Sequence, residues 1–278
     1  MAFVLANVDG RAALVRQGEW YDLERLSDGS LGSDPMAAIA RFTELHAVAE
    51  LIDSAECDGN IVADSLRAPV PAPQKGFGIG LNYRAHAEET GAKIPEAPVV
   101  FSKYPSCINS PTGEIELRTD TGDYEAELVV VLGRQTRDIN PDEVWDHLAG
   151  LTCGQDISDR RLQRASTPPH FGLGKSRDSY GPIGPWIVSI DSFADPTDLG
   201  ITCDINGERR QDSRTSQLLF DIPFLVSYLS QVMTLEPGDL IFTGTPSGVG
   251  APTKNFLKPG DTIRTEIEGI GVLTNQCR

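Results

Sequence analysis

The chain has few of the side chains that build disulfide frameworks or soft-metal sites. Its five cysteines are odd in number and scattered, and no C-x-x-C pair occurs. This pattern indicates reduced thiols and argues against a structural zinc ribbon. The only histidines are His46, His86, His147 and His170, so a histidine-rich zinc or iron site is not expected.

Basic residues are also scarce. Lys and Arg number 24 against 40 Asp and Glu, which gives a formal net charge of −16. Nucleic acids and anionic membranes are bound mainly through basic side chains, so we expect neither as a partner. No apolar run approaches the length of a membrane span, and residues 1–6 lack the basic start of a signal peptide. We therefore expect a cytoplasmic protein.

The common nucleotide and hydrolase motifs are missing. Gly76, Gly78 and Gly80 suggest a dinucleotide-binding turn, but Leu81 or Tyr83 stands where its third glycine belongs. No βαβ pattern follows this cluster, so NAD binding is not expected. The chain also contains no Walker loop, no G-x-S-x-G elbow and no H-E-x-x-H helix.

Alternating prolines in residues 69–73 favour an extended segment that breaks both helix and sheet, which indicates a domain boundary. We predict a small N-terminal α+β domain at residues 1–70 and a larger second domain at residues 74–278. In the first domain the pattern predicts strands at residues 3–8, 12–16 and 19–23 and a helix over residues 35–52 that is capped by Asp34.

Strands dominate the second domain. Only two helices are convincing, at residues 140–149 and 222–232, and Asn206-Gly207 predicts a type I′ hairpin turn. Because strands do not alternate with helices, a TIM barrel and a doubly wound sheet are excluded, and the fold class is mainly β with α (α+β). The predicted strands are residues 77–81, 98–102, 126–132, 187–190, 201–205, 240–243, 262–267 and 271–275.

Two carboxylates stand two residues apart in a run that otherwise predicts a buried strand. Side chains at i and i+2 point to the same side of a strand, so Glu125 and Glu127 should converge. Two such anions need a cation between them, or one must stay protonated. Asp156 is a third candidate, and three oxygen ligands suit Mg²⁺ or a similar hard ion. The alternative is a strand at a sheet edge with a solvated acidic face.

A second group of candidates follows the strand that opens the larger domain. On a helical turn His86 and Glu89 are i,i+3 neighbours, so the carboxylate can orient the imidazole and stabilise its protonated form. Such a pair can act as a general base for water. Gly91 and the loop at residues 92–98 would let this turn act as a lid. The alternative is a solvated acidic turn.

Taken together, these stretches resemble the fumarylacetoacetate hydrolase family, from Gly80 to Asn275. In detail the chain is most similar to the smaller cytosolic members related to acylpyruvate hydrolases and oxaloacetate decarboxylases. The motifs that carry the resemblance include Gly80-Leu81-Asn82-Tyr83-Arg84-Ala85-His86, Phe101-Ser102-Lys103, Asp123-Tyr124-Glu125-Ala126-Glu127, Gln155-Asp156-Ile157-Ser158, Gly174-Lys175-Ser176 and Thr243-Gly244-Thr245-Pro246.

The resemblance implies a mixed β-roll of the fumarylacetoacetate hydrolase C-terminal type and a homodimer. It also implies roles for individual positions. The ligands of Mg²⁺ or Mn²⁺ would be Glu125, Glu127 and Asp156. His86 and Glu89 would be the pair that activates water, and Lys175 would lie beside the substrate oxygens. Gln163 and Thr245 would hold the keto-acid end of the substrate.

The chain departs from the family pattern at three places. Arg177 and Ser179 stand where relatives commonly carry aromatic and threonine side chains, and Asp159-Arg160 replaces an Ala-Arg-Asp order. Ser110-Pro111 replaces a common Gly-Pro. Packing and ion pairing near Lys175 are therefore expected to differ.

The expected activity is divalent-metal-dependent cleavage of a C–C bond in a small β-diketo or 2-keto acid. The leading form of this activity is hydrolysis of an acylpyruvate. The alternatives are an oxaloacetate decarboxylase, and a tautomerase or isomerase of keto acids from aromatic catabolism. A catalytically silent metal-binding or dimer scaffold protein is an alternative of another class.

Overall fold

The computed structural model describes all 278 residues. Its strands are β1 (Val4–Val8), β2 (Arg11–Arg16), β3 (Glu19–Asp22), β4 (Gly59–Asn60), β5 (Leu66–Arg67), β6 (Gly76–Gly80), β7 (Val99–Lys103), β8 (Ile108–Asn109), β9 (Gly122–Asp123), β10 (Ala126–Leu132), β11 (Leu148–Gln155), β12 (Ser158–Asp159), β13 (Gly181–Val188), β14 (Gly200–Ile205), β15 (Glu208–Arg214), β16 (Leu240–Phe242), β17 (Thr262–Ile267) and β18 (Gly271–Gln276).

The helices are short, and 3₁₀ turns supplement them. No helix combines the length and the hydropathy that crossing a bilayer requires. The α-helices are α1 (Leu23–Leu26), α2 (Pro35–Ala40), α3 (Phe42–Val48), α4 (Arg84–Thr90), α5 (Arg160–Gln163), α6 (Phe171–Gly174) and α7 (Ile222–Val232), and the 3₁₀ turns are Ala49–Ser54, Ala63–Ser65, Pro105–Cys107, Pro141–His147, Ile190–Ser192 and Thr215–Gln217.

One large mixed sheet organises the molecule. Its strand order is β4-β3-β2-β1-β13-β11-β10-β16-β6-β7, with β5 and β8 attached at the side. Most pairs are antiparallel, but β16 runs parallel to β6. Val4 of β1 lies opposite Val188 of β13, so strands from both predicted domains belong to this sheet.

Strand β10 lies inside this sheet and is buried on both faces. Leu128 and Val130 pack into the core that also contains α7 and the second sheet, of order β15-β14-β17-β18. Val129 and Val131 point the other way, into the core beneath α2 and α3. Burial on both faces explains why the run in the sequence is almost continuously apolar.

The predicted α+β class is confirmed, strands outnumber helices in residues 74–278, and the predicted hairpin lies in the second sheet. Asn206 and Gly207 have φ values of 53° and 79°, as a type I′ turn requires. The turn pairs Ile205 with Glu208 across β14 and β15. Helix α7 has the predicted bounds.

Two other helix predictions need correction. The single helix predicted over residues 35–52 is interrupted at Arg41, whose φ of −117° is not helical, so α2 and α3 are separate helices followed by a 3₁₀ turn. Asp34 caps α2 as predicted, accepting a hydrogen bond of 3.0 Å from the Met36 amide. The predicted helix at residues 140–149 is a 3₁₀ turn that stops at His147, because Leu148 enters β11.

Candidate active site

The pairing of β10 with β11 brings the acidic candidates together. Ala126 lies opposite Gln155, so Glu125 and Asp156 are the next pair along the two strands. The Asp156 amide donates a hydrogen bond of 2.9 Å to the Glu125 carbonyl. One carboxylate oxygen each from Glu125, Glu127 and Asp156 lies within 4.8 Å of the others. All three residues are buried, at 4%, 1% and 0% exposure, which excludes the alternative of a solvated strand edge.

Two cations hold Glu125. Arg160 Nη2 lies 2.6 Å from Oε1 of Glu125, and Lys175 Nζ forms a short ion pair with Oε2. Burial alone would raise the pKa of Glu125, but the positive charges of Lys175 and Arg160 outweigh it and lower the pKa to about 2. Glu125 is therefore an anion.

Asp156 is ion-paired with Lys103 and Lys175, whereas Glu127 forms no ion pair. Glu127 accepts a hydrogen bond of 2.8 Å from the Gly244 amide. Burial, with Asp156 and Glu125 close by, raises the pKa of Glu127 well above its usual value. Oδ2 of Asp156 lies 2.7 Å from Lys175 Nζ but outside hydrogen-bond geometry, so it is a buried oxygen without a hydrogen-bond donor. Three hard oxygen ligands, with Glu127 lacking an ion pair and Oδ2 of Asp156 lacking a hydrogen bond, fit a divalent cation such as Mg²⁺ or Mn²⁺.

Helix α4 carries the predicted histidine–carboxylate pair. Nδ1 of His86 lies 2.8 Å from Oε1 of Glu89. Because a carboxylate only accepts, Nδ1 holds the proton and Nε2 is left to accept one. Oε2 of Glu89 accepts a hydrogen bond of 2.9 Å from the Gly248 amide, which ties the pair to the loop after β16. His86 is 7% exposed, so the alternative of a solvated turn is wrong.

Asn82 fixes the start of this helix. Its side-chain amide donates hydrogen bonds to the carbonyls of Thr243, at 2.7 Å, and Phe220, at 2.9 Å. Its carbonyl accepts one of 2.8 Å from the Phe220 amide. The chain between β6 and α4 is thereby joined to the end of β16, from which Gly244 reaches Glu127.

One member of each group, His86 and Glu125, lines the same cavity of about 240 Å³. This volume would hold roughly eight water molecules, which suits a small metabolite rather than a drug-sized ligand. Among the side chains that line the cavity are those of His86, Glu125, Arg160, Gln163, Arg164, Lys175 and Thr245, and an apolar part is formed by Ile79, Leu81, Phe101, Pro169, Phe171 and Val249.

Gln163 and Thr245 differ in what they can offer a ligand. The side-chain oxygen Oε1 of Gln163 accepts a hydrogen bond of 3.0 Å from Arg160 Nη1. The side-chain nitrogen of Gln163 therefore points away from the Arg160 guanidinium. The Thr245 hydroxyl donates to the Ala126 carbonyl and accepts from Gln211, both at 2.8 Å. Its proton is therefore already used, and it can only accept a further hydrogen bond.

A sequence model of the fumarylacetoacetate (FAA) hydrolase C-terminal region matches residues 75–278. The chain belongs to the fumarylacetoacetate hydrolase family. It is 43% identical over 226 residues to a fumarylacetoacetate hydrolase domain-containing protein 2 homolog of Dictyostelium discoideum, a match that covers 77% of this chain and 74% of that one. It is 41% identical over 213 residues to the mitochondrial oxaloacetate tautomerase FAHD2B of Bos taurus, with 75% and 68% covered.

Solved structures of fumarylacetoacetate hydrolase relatives share the fold. A fumarylacetoacetate hydrolase from Exiguobacterium antarcticum superposes with a TM-score of 0.85 at 34% identity, with 100% of this chain and 99% of that chain covered. A maleylpyruvate hydrolase from Sphingobium sp. SYK-6, in complex with manganese(II) and pyruvate, gives a TM-score of 0.81 at 29% identity, with 99% and 98% covered.

Sequence reasoning missed two cations and a carboxylate of this family site. Lys103, at the end of β7, donates a hydrogen bond of 2.6 Å to Oδ1 of Asp156. Arg160 donates to Oδ2 of Asp123, at 2.8 Å, as well as to Glu125. Lys103 is the last residue of a motif that carries the resemblance, and Arg160 belongs to one of the departures from the family pattern. The signal that could have found Lys103 is a lysine in an apolar strand, since such a residue needs a buried acid.

Two of the departures from the fumarylacetoacetate hydrolase pattern meet in the structure. Arg177 donates to Oδ2 of Asp159 from Nε, at 3.0 Å, and from Nη2, at 2.8 Å. Asp159 also accepts a hydrogen bond of 3.1 Å from the Leu162 amide and so caps α5. The altered residues thus form one ion pair that holds the helix of Arg160 and Gln163.

Proposed function

We propose that this protein is a divalent-metal-dependent enzyme that interconverts the keto and enol forms of a small 2-keto acid, and that oxaloacetate is the substrate to test first. The observation that carries the proposal is that His86, hydrogen-bonded to Glu89, and Glu125 of the acidic trio line the same small cavity. The relative from Bos taurus that is 41% identical and named an oxaloacetate tautomerase supports this choice of reaction.

The cation would be Mg²⁺ or Mn²⁺, held by Glu125, Glu127 and Asp156. When bound there, it would supply positive charge that polarises the keto group of a chelating acid and so acidifies the neighbouring carbon. The related maleylpyruvate hydrolase, whose structure holds manganese and pyruvate, supports both the metal and the ligand class.

The protein groups then move one proton between carbon and oxygen. Nε2 of His86 accepts the proton from the carbon next to the keto group, and Glu89 stabilises the resulting imidazolium through Nδ1. The ammonium of Lys175 offsets the negative charge that grows on the keto oxygen. Gln163 donates its free amide hydrogens to the carboxylate of the substrate. Return of this proton from His86 to the keto oxygen completes the enol.

The test is the rate at which enol oxaloacetate becomes the keto form, followed by its ultraviolet absorbance with Mg²⁺ or Mn²⁺ present. The same metal without protein sets the background rate. We expect the wild type to exceed this background, and the variants Glu125→Gln and His86→Gln to approach it. A wild-type rate equal to the background for oxaloacetate would refute the proposed reaction.

Hydrolysis of a C–C bond is the second candidate. The same His86–Glu89 pair can deprotonate water, and the related maleylpyruvate hydrolase supports this chemistry. In that reaction, water adds to the distal carbonyl of an acylpyruvate, and the C–C bond breaks to give an acid and pyruvate. Product analysis distinguishes the reactions, since acetylpyruvate would yield acetate and pyruvate, whereas an oxaloacetate decarboxylase would release CO₂.

We also propose that the protein forms a homodimer. Strand β7 ends the large sheet, and apolar side chains beside it stay exposed, namely Val100 at 37%, Tyr104 at 49% and Leu173 at 62%. Light scattering at assay concentration tests this association, and a monomer would contradict it.

A further inference from the structure

One cation in the cavity has no acidic partner. Arg160 is paired with Asp123 and Glu125. Lys175 is paired with Glu125 and Asp156. Arg164 lines the same cavity, and its exposed guanidinium makes neither an ion pair nor a hydrogen bond within the chain. It is therefore free to bind an anion that enters the cavity.

The three arginines in and next to the short helix α5 have different surroundings. Arg160 is the first residue of α5 and Arg164 follows its last residue, and both line the cavity. Arg161 instead forms a short ion pair with the exposed Asp120. Arg161 thus provides a neighbour of the same type that does not line the cavity.

The surroundings of Arg164 favour the binding of an anion by its guanidinium. The chain carries a net charge of −16, so an anionic substrate meets a repulsive protein except where a cation is free. Part of the cavity wall is apolar, formed by side chains such as Phe101, Phe171 and Val249. A second carboxylate held against that wall would lose water without a compensating partner. Arg164 can supply that partner with two parallel N–H donors.

We propose that Arg164 binds the second carboxylate of a 2-keto diacid, and so makes the enzyme prefer diacids to otherwise identical mono-acids. This inference rests on the proposed function, because it takes the keto-acid end to lie at the acidic trio. It assigns Arg164 a role in binding and none in proton transfer.

The experiment compares oxaloacetate with its 4-methyl ester, which differs only in the second carboxylate. For oxaloacetate we expect Arg164→Gln to raise the KM about 10-fold with little change in kcat, as for the loss of one charge-assisted hydrogen-bonded contact. The KM for the ester should not change. The KM of Arg164→Lys for oxaloacetate should lie between those of the wild type and Arg164→Gln, since lysine keeps the positive charge but lacks the two parallel N–H donors of the guanidinium. Arg161→Gln is the matched control and should behave as the wild type with both substrates.

Two results would overturn the inference. One is a KM for oxaloacetate in Arg164→Gln that equals the value in Arg161→Gln, and the other is an equal rise for both substrates. Binding of oxaloacetate and of the ester is also measured by calorimetry with Mg²⁺ present. If the wild type converts neither compound, the proposed function fails, and Arg164 is then judged on binding alone. Loss of selective diacid binding in Arg164→Gln supports the inference, and equal or absent binding refutes it.

Discussion

Lys103 donates a hydrogen bond of 2.6 Å to Oδ1 of Asp156, and both side chains are buried. The same ammonium donates to the Lys175 carbonyl, also at 2.6 Å. Burial alone would lower the pKa of Lys103, but the charge of Asp156 outweighs it and raises that pKa, so the lysine stays protonated. With Oδ1 occupied in this way, Oδ2 of Asp156 is the oxygen left for a metal.

Replacement of Lys103 by methionine should destabilise the protein strongly. The change leaves a buried carboxylate oxygen without its main cation, which typically costs about 3–5 kcal/mol. Urea unfolding with EDTA present measures the loss. The control is Lys258→Met, at an exposed lysine, which should unfold as the wild type does. Equal midpoints for the two variants would show that Lys103 is not needed for the stability of the site.

Gly244 should tolerate a side chain less well than a glycine of similar conformation with open space around it. Its φ is +106°, and a Cβ there would lie 2.7 Å from the Asn82 Cβ and 3.0 Å from the Ile79 carbonyl oxygen. Gly260 has a φ of +93° with nothing within 4 Å, so Gly260→Ala carries the backbone strain without the overlap. We expect Gly244→Ala to be less stable than Gly260→Ala by about 1–3 kcal/mol.

The same pair of variants also tests how Glu127 is held. Because the Gly244 amide donates to Glu127, a shift of this loop should weaken Mn²⁺ binding in Gly244→Ala and leave it unchanged in Gly260→Ala. Calorimetric titration measures both. Identical stability and identical Mn²⁺ affinity for the two variants would contradict this description of the loop.

Removal of the general base should separate catalysis from metal binding. In His86→Gln the rate of enolisation should fall about 10²- to 10⁴-fold, as for loss of a general base, while the dissociation constant for Mn²⁺ stays at the wild-type value. Glu89→Gln should show a smaller fall, since the imidazole remains. A variant that loses Mn²⁺ binding together with activity would place His86 in the metal site instead.

Asp159 and Arg177 should stabilise the protein jointly. Two guanidinium nitrogens of Arg177 donate to the same oxygen, Oδ2 of Asp159, and the arginine side chain is 34% exposed, so we expect a coupling of about 1 kcal/mol in a double-mutant cycle. The variants are Asp159→Asn, Arg177→Gln and the pair together. Additive effects on the free energy of unfolding would mean that these two departures from the family pattern act independently.

Local patterns predicted the parts of the site that lie close together in the chain. The i,i+2 spacing placed Glu125 and Glu127 on one side of a strand, and the i,i+3 spacing placed Glu89 beside His86. Strand β10 and helix α7 have the predicted bounds, since an almost continuous apolar run marks the strand and apolar residues at helical spacing mark the helix. A helical turn was predicted for His86 and Glu89, but its start at Arg84 was not, because no side-chain cap marks the start of α4.

Long-range pairing could not be read from the same patterns. The contact of β1 with β13 depends on an edge that only the folded sheet presents, so the continuity of the sheet across the predicted boundary was not expected. Strand β11 was missed because glycines at 150 and 154 interrupt it. Gly154 lies against Val129 and Phe242, which leaves no room for a side chain there. Lys103 finds Asp156 only through tertiary packing.

The most direct test of the account is a calorimetric titration of Mn²⁺ into the wild type and into Glu127→Gln, which preserves shape and removes the charge. Glu88→Gln, at an exposed glutamate, serves as the control. We predict one Mn²⁺ per chain for the wild type and for Glu88→Gln, and greatly weakened binding for a folded Glu127→Gln. A wild type that binds no Mn²⁺, or a Glu127→Gln variant that binds it with unchanged affinity, would contradict the central claim that these buried carboxylates form a divalent-metal site.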